Sequence, residues 1–186
     1  MRVIVGGIGY RNLRDHSVGV VVTDHLEWRD WPPHVVVEDL SYGPIAVVQR
    51  FEDEPPERRF DRAVFVAAAA RGDGRPLGTV TAYRWDGILP SPELIQGSVC
   101  EAVTGVIALD NTLIVGRHFG ALPDEVVVVE VEPVEHEAGE TFGPVLQRGF
   151  EPLCRLVTRL ALDSAAVSRL PVAPLGGGLH ARAEMW

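Results

Sequence analysis

Cysteine is scarce in this sequence: Cys100 and Cys154 are the two in 186 residues. They form no CxxC pair and no disulfide framework, which excludes a stapled mini-domain and fits a reducing compartment. Long apolar runs are missing too. None approaches the roughly 20 residues that span a bilayer, and no apolar leader with a cleavage site opens the chain. A cytoplasmic location is expected. Positive charge falls short of negative, with 17 Lys and Arg against 26 Asp and Glu, a formal net charge of −9. An acidic surface disfavours nucleic acid and anionic membranes as partners, because both are polyanions. There is no GxSxG elbow, so no serine hydrolase triad is signalled, and no internal repeat.

What is present is enough apolar material for a proper core, 46% of 186 residues, in a length that favours one domain. The organising stretch is the N-terminus, MRVIVGGIGYRNLRDHSVGVVVTDHL. Residues 2–5 read as a strand buried on both faces, running into a loop, Gly6-Gly7-Ile8-Gly9, where glycines permit a tight exit and a close approach. A dinucleotide fingerprint would need a third glycine at position 12, where Asn12 stands, so nucleotide binding is not indicated. Residues 17–26 mix β-branched preference with a helical face at Val18, Val21, Val22 and His25. They are read as a helix capped by Ser17, because a strand there would leave no crossover before the next strand. Trp28 and Trp31 beside Pro32-Pro33 are expected to cover a core edge.

Further strands are expected at residues 34–39 (HVVVED), 63–70 (AVFVAAAA), 79–85, half-exposed and at an antiparallel edge, and 125–132 (EVVVVEVE). Helices are expected at residues 45–51, around 100–109, and after Gly143-Pro144. In the last, Leu146, Phe150, Leu153, Val157 and Leu160 form one face and Pro152 should kink or restart the helix. The Arg71-Gly72-Asp73 run meets turn chemistry only. Strands alternating with helices give a three-layer α/β sandwich: a mostly parallel twisted sheet of about five strands with helices on both faces. Residues 1–169 form its single domain, and residues 170–186, without periodicity, an irregular C-terminal arm.

This pattern resembles the hydrogenase maturation proteases, endopeptidases that remove a C-terminal extension from the large subunit of nickel-iron hydrogenases. The resemblance rests on the opening strand, Gly7-Ile8-Gly9, the polar loop, and Asp15-His16-Ser17-Val18-Gly19. Strand spacing then agrees through Asp39, the alanine-rich third strand, Gly78-Thr79, and Pro123 before the valine strand ending at Pro133. It implies a twisted sheet between helices. It also implies recognition of nickel carried by the substrate through three side chains: the second acid of the N-terminal pair, an aspartate closing the third strand and a histidine opening the next helix. Here His16 stands for the acid, Ala67 for the aspartate, and Thr104 or Gly105 near the histidine position. Tyr10 replaces the asparagine that usually follows Gly-x-Gly.

The candidate site is therefore Asp15 and Asp39 as a catalytic acid/base pair, His16 as the metal donor, and Gly7, Gly9 and Tyr10 as the neighbouring loop. His16 with Asp15, Asp39 or Glu38 would make a histidine–carboxylate cluster of the kind divalent ions favour. Glu135-His136-Glu137 resembles a ligand trio on paper, but an exposed acidic loop is the favoured reading. His118 reads as a loop histidine and Cys100 as a small core residue. No resident cofactor is expected; nickel enters only on the substrate. The expected partner is the large subunit or its precursor. Two functions follow: a maturation protease with a remodelled metal-sensing site, or a non-catalytic chaperone or regulator of a hydrogenase subunit.

Overall fold

A computed structural model describes residues 1–135 and 137–177. Four strands, β1 (Val3–Ile8), β2 (Val35–Asp39), β3 (Arg62–Ala68) and β5 (Glu125–Val131), lie parallel. β4 (Val80–Trp85) runs antiparallel against β5, and β6 (Val172–Ala173) adds two residues parallel to β4. The order across the six-stranded sheet is β2-β1-β3-β5-β4-β6. The expected α/β sandwich holds. The extra strand comes from the segment read as irregular; the part of that arm beyond residue 177 lies outside the described residues.

Two helical layers cover the sheet. One holds α1 (Val18–Glu27), α5 (Pro144–Leu162) and α6 (Ser164–Ser168). Their Val18, Val22, Leu26, Leu153 and Val157 close over Val3, Val5, Val64, Val66, Val127 and Val129. The other holds α2 (Pro44–Glu52), α3 (Pro92–Val103) and α4 (Leu109–His118). There Val47, Phe51, Leu109 and Leu113 meet Ile4, Ile8, Phe65, Val126 and Val128. Strand alternation sends successive valines to opposite layers, which is why the central strands are apolar throughout.

Several local expectations are corrected. Gly6 and Gly7 belong to β1, not to a loop. A Cβ on Gly7 would lie 2.2 Å from the Gly19 carbonyl oxygen, and one on Gly19 2.4 Å from the carbonyls of Ile8 and Val66. The glycines let α1 lie directly on the strand backbones. Residues 17–26 are helical, but Ser17 accepts a bond from the Leu13 N–H (2.9 Å) rather than capping α1. The buried stripe of α1 runs through Leu26, while His25 faces solvent. The single helix around residues 100–109 is two helices. Gly105, at φ +83°, breaks the run, and Ser91 with Pro92 starts α3 earlier. Cys100 is exposed, not core. Pro152 lies inside α5, which continues across it for 19 residues. Trp31 covers the core edge and donates its indole N–H to Leu26, but Trp28 is exposed. No described helix is long and apolar enough to cross a membrane.

Candidate functional site

Strand order reverses at β1, which has β2 on one side and β3 on the other. Open α/β sheets gather ligands beyond the carboxyl ends of strands at such a point. A cleft of about 250 Å³ opens there. Ile8, Gly9 and Tyr10 from the end of β1, His16, and Ala67 to Ala70 from the end of β3 form much of its wall. Ile107, Ala108, Leu109 and Asp110, at the entry to α4, complete it with Arg71. Ile8 faces Ala67 in register across the floor.

Of the residues singled out from the sequence, Gly9, Tyr10, His16 and Ala67 reach this cleft. Gly9 lies against the His16 backbone, where a Cβ would stand 2.5 Å from the His16 carbonyl oxygen, and its N–H donates to Ser41 Oγ (3.1 Å). The Tyr10 hydroxyl accepts from the Ile107 N–H (2.8 Å), tying β1 to the turn between α3 and α4. His16 is half-buried at the mouth. Gly105 lies in that turn, but Ile107 and Ala108, not Gly105, line the cleft.

Asp15 and Asp39 are not part of the cleft lining, and each is engaged by other groups. Asp15 is 1% exposed. Its Oδ2 accepts the N–H groups of Val134 (3.0 Å) and Glu135 (3.1 Å), and its Oδ1 that of Gly143 (2.8 Å). The loop after β5 is thus pinned to the N-terminal loop, helped by an Arg14–Glu135 ion pair at 2.9 Å and a backbone bridge from Leu13 to Gly139. Asp39 accepts from Arg11 Nη2 (2.9 Å) and from the Ser41 N–H (3.0 Å). Arg11 also binds Asp24, and the two carboxylates hold its guanidinium firmly charged. Glu38 is taken by Arg50 and Tyr42. A histidine–carboxylate cluster around His16, which the sequence offered only as a minority reading, is not assembled: among the described residues no group of three His, Cys, Asp or Glu could hold a metal ion. His136 lies outside the described residues, so the Glu135-His136-Glu137 trio has no structural account.

A charged cluster that no motif announces adjoins the cleft at Arg71 and Asp110. Arg71 makes a paired contact with Asp110 (2.7 and 2.9 Å) and reaches Glu130 at 2.6 Å. Glu130 is fully buried and also receives Arg75 Nη1 (2.9 Å) and the Tyr83 hydroxyl (3.3 Å). The Arg71 backbone N–H donates to Glu132 (3.0 Å). A buried carboxylate is tolerated when its partners satisfy it, and this one is enclosed by cations and a hydroxyl. Burial first, then the Glu130 charge, pushes the Tyr83 hydroxyl above its ordinary range, so it stays a donor. The missed signal was an acid at position 130 inside a strand otherwise buried on both faces. Cys154, whose thiol burial pushes up to about 11, is no nucleophile.

No family model and no curated protein matches the sequence. Solved structures do match. The chain is similar to an endopeptidase from Escherichia coli known from its solution structure, at 24% identity, TM-score 0.63, covering 94% of this chain and 98% of that one. It is similar to the hydrogenase maturating endopeptidase HybD from E. coli at 22% identity, TM-score 0.60, covering 84% and 90%. A hydrogenase 2 maturation peptidase from Thaumarchaeota archaeon SCGC_AB-539-E09 aligns at 20% identity, TM-score 0.59, covering 86% and 97%. With the strand order, both helical layers and the switch-point cleft in place, the chain has the fold of the hydrogenase maturation endopeptidases.

Proposed function

We propose that this protein is a divergent maturation protease acting on the large subunit of a nickel-iron hydrogenase, engaging the precursor at the cleft beyond β1 and β3. The observation that carries this reading is convergence. His16, Ala67 and the turn following Gly105, three places apart in sequence, border one cleft in a fold shared with maturation endopeptidases. Residues 1–169 carry the site, and a reducing cytoplasm suits its free thiols.

The reaction would be hydrolysis of one peptide bond: water's oxygen goes to the new carboxylate and its protons leave with the freed amine and to solvent. His16 is the imidazole that lines the cleft, and imidazole is a side chain that can ligate nickel. Asp15 and Asp39 support the site by fixing its loops. Ala67 offers no donor, so the substrate's metal would be met by fewer protein ligands than the resemblance implies.

The test is to mix the purified protein with nickel-loaded large-subunit precursor and follow the precursor's mass. Loss of a C-terminal segment is the expected result. Stable co-elution with an unchanged mass would replace the enzyme reading with that of a binding chaperone. No association at all would remove both.

A further inference from the structure

Among the described residues, the outer edge of β4 is only partly paired. The Arg84 N–H donates to the Pro171 carbonyl (2.9 Å) and the Asp86 N–H to the Ala173 carbonyl (3.0 Å). Even-numbered residues of β4 therefore turn their backbone groups away from β5. β6 reaches only Arg84 and Trp85. Val80 and Ala82 have the same outward orientation, and no strand among the described residues pairs with them on that side. Their N–H and C=O groups make a short open ladder. Exposed Leu77, Val80 and Val172 flank it.

Alternation places Val80, Ala82 and Arg84 on one face of the sheet, since Ala82 packs with the α1 and α5 layer while Tyr83 and Trp85 pack opposite. Arg84 is partly buried, and its Nε is enclosed without a hydrogen-bond partner. Among the described residues no carboxylate pairs with its guanidinium. A guanidinium without a counter-charge favours an anion at whichever of its donors can be reached.

The edge also leads to the cleft. Ala68 faces Val131, and Val131 faces Val80. Val80 is thus two interstrand spacings, roughly 10 Å, from the alanine wall, while Arg84 lies at the far end of the strand.

We propose that this edge holds the carboxyl-terminal end of an extended peptide, which adds as a strand parallel to β4 beside Val80 and Ala82 and presents its terminal carboxylate to Arg84. Strand addition supplies backbone bonds, and the carboxylate sets direction and register. The upstream part of such a peptide leaves the edge at Val80, roughly 10 Å from the alanine wall of the cleft. The occupant is a peptide end and not a second copy, because the free stretch is too short for edge-to-edge pairing and lies between Pro76 and Pro171. This inference rests on the reading of the protein as acting on a C-terminal extension, and it assigns that extension's last residues a seat.

Two synthetic peptides test it, both carrying the C-terminal segment of a large-subunit precursor, one ending in a free carboxylate and one amidated. They are titrated by fluorescence anisotropy into the full-length protein, Arg84→Gln and Val80→Pro. The free acid should bind the unaltered protein about tenfold tighter than the amide. The preference should vanish in Arg84→Gln. Val80→Pro, which deletes an outward N–H and leaves the β5 ladder intact, should weaken both peptides. Equal binding of acid and amide, or a preference that survives Arg84→Gln, overturns the inference. Intact precursor, assayed alongside, separates the two claims. Precursor still bound or cleaved without any acid preference defeats the inference alone; loss of all binding defeats the functional reading with it.

Discussion

Asp15 illustrates how much structure one carboxylate can hold. From sequence it stood beside His16 in a polar loop, an apt candidate for a proton-transfer role. In the fold its two oxygens are spent on three backbone N–H groups across 119 to 128 residues of chain. Removing it leaves three donors, one buried and two partly buried, without this acceptor. Asp15→Ala should therefore cost about 3–5 kcal/mol of stability, with Asp15→Asn recovering part of that, both read by urea unfolding. Unaltered stability with lost activity would return Asp15 to a catalytic role. Nothing in the sequence marked this function, since the partners are backbone groups of a loop whose position depends on the whole fold. His16 and Tyr10 were legible because they follow directly from the end of β1, whose place in an α/β sheet is set by its apolar run.

At the scale of elements, the glycines of β1 and α1 decide how near a helix can approach a sheet. Gly19→Ala would place a methyl 2.4 Å from two carbonyl oxygens, and backbone cannot yield as a side chain can. We expect a loss of about 3 kcal/mol. Gly97→Ala in α3, where nothing lies within 4 Å of the added methyl, should instead raise stability by about 0.5–1 kcal/mol. Thermal denaturation of both variants checks the pair; equal effects would refute the packing argument. Elements with strong periodicity, such as α5 and β5, were readable because their apolar spacing is dictated by the layer they face. The break between α3 and α4 was not, because a single left-handed glycine overrides an apolar run on both sides. β6 escaped notice because two residues carry no period.

For the whole molecule, the parallel order of four strands and the reversal at β1 create a cleft that no local motif encodes. Its alanine wall is the end of β3, and Arg71 beside it binds Glu130, which also receives Arg75, so a turn and a central strand meet there. Charge spacing along the chain could not foretell that meeting, although a buried glutamate in β5 required some cationic partner. On the function proposed, the precursor is engaged at this cleft. The most direct measurement is the affinity of nickel-loaded precursor for the unaltered protein and for Ala69→Trp, which fills the cleft from a partly exposed wall position. The account predicts at least about a tenfold loss of affinity in the variant, more than about 1.4 kcal/mol, with an unchanged melting temperature. Undiminished binding by a folded Ala69→Trp would contradict it.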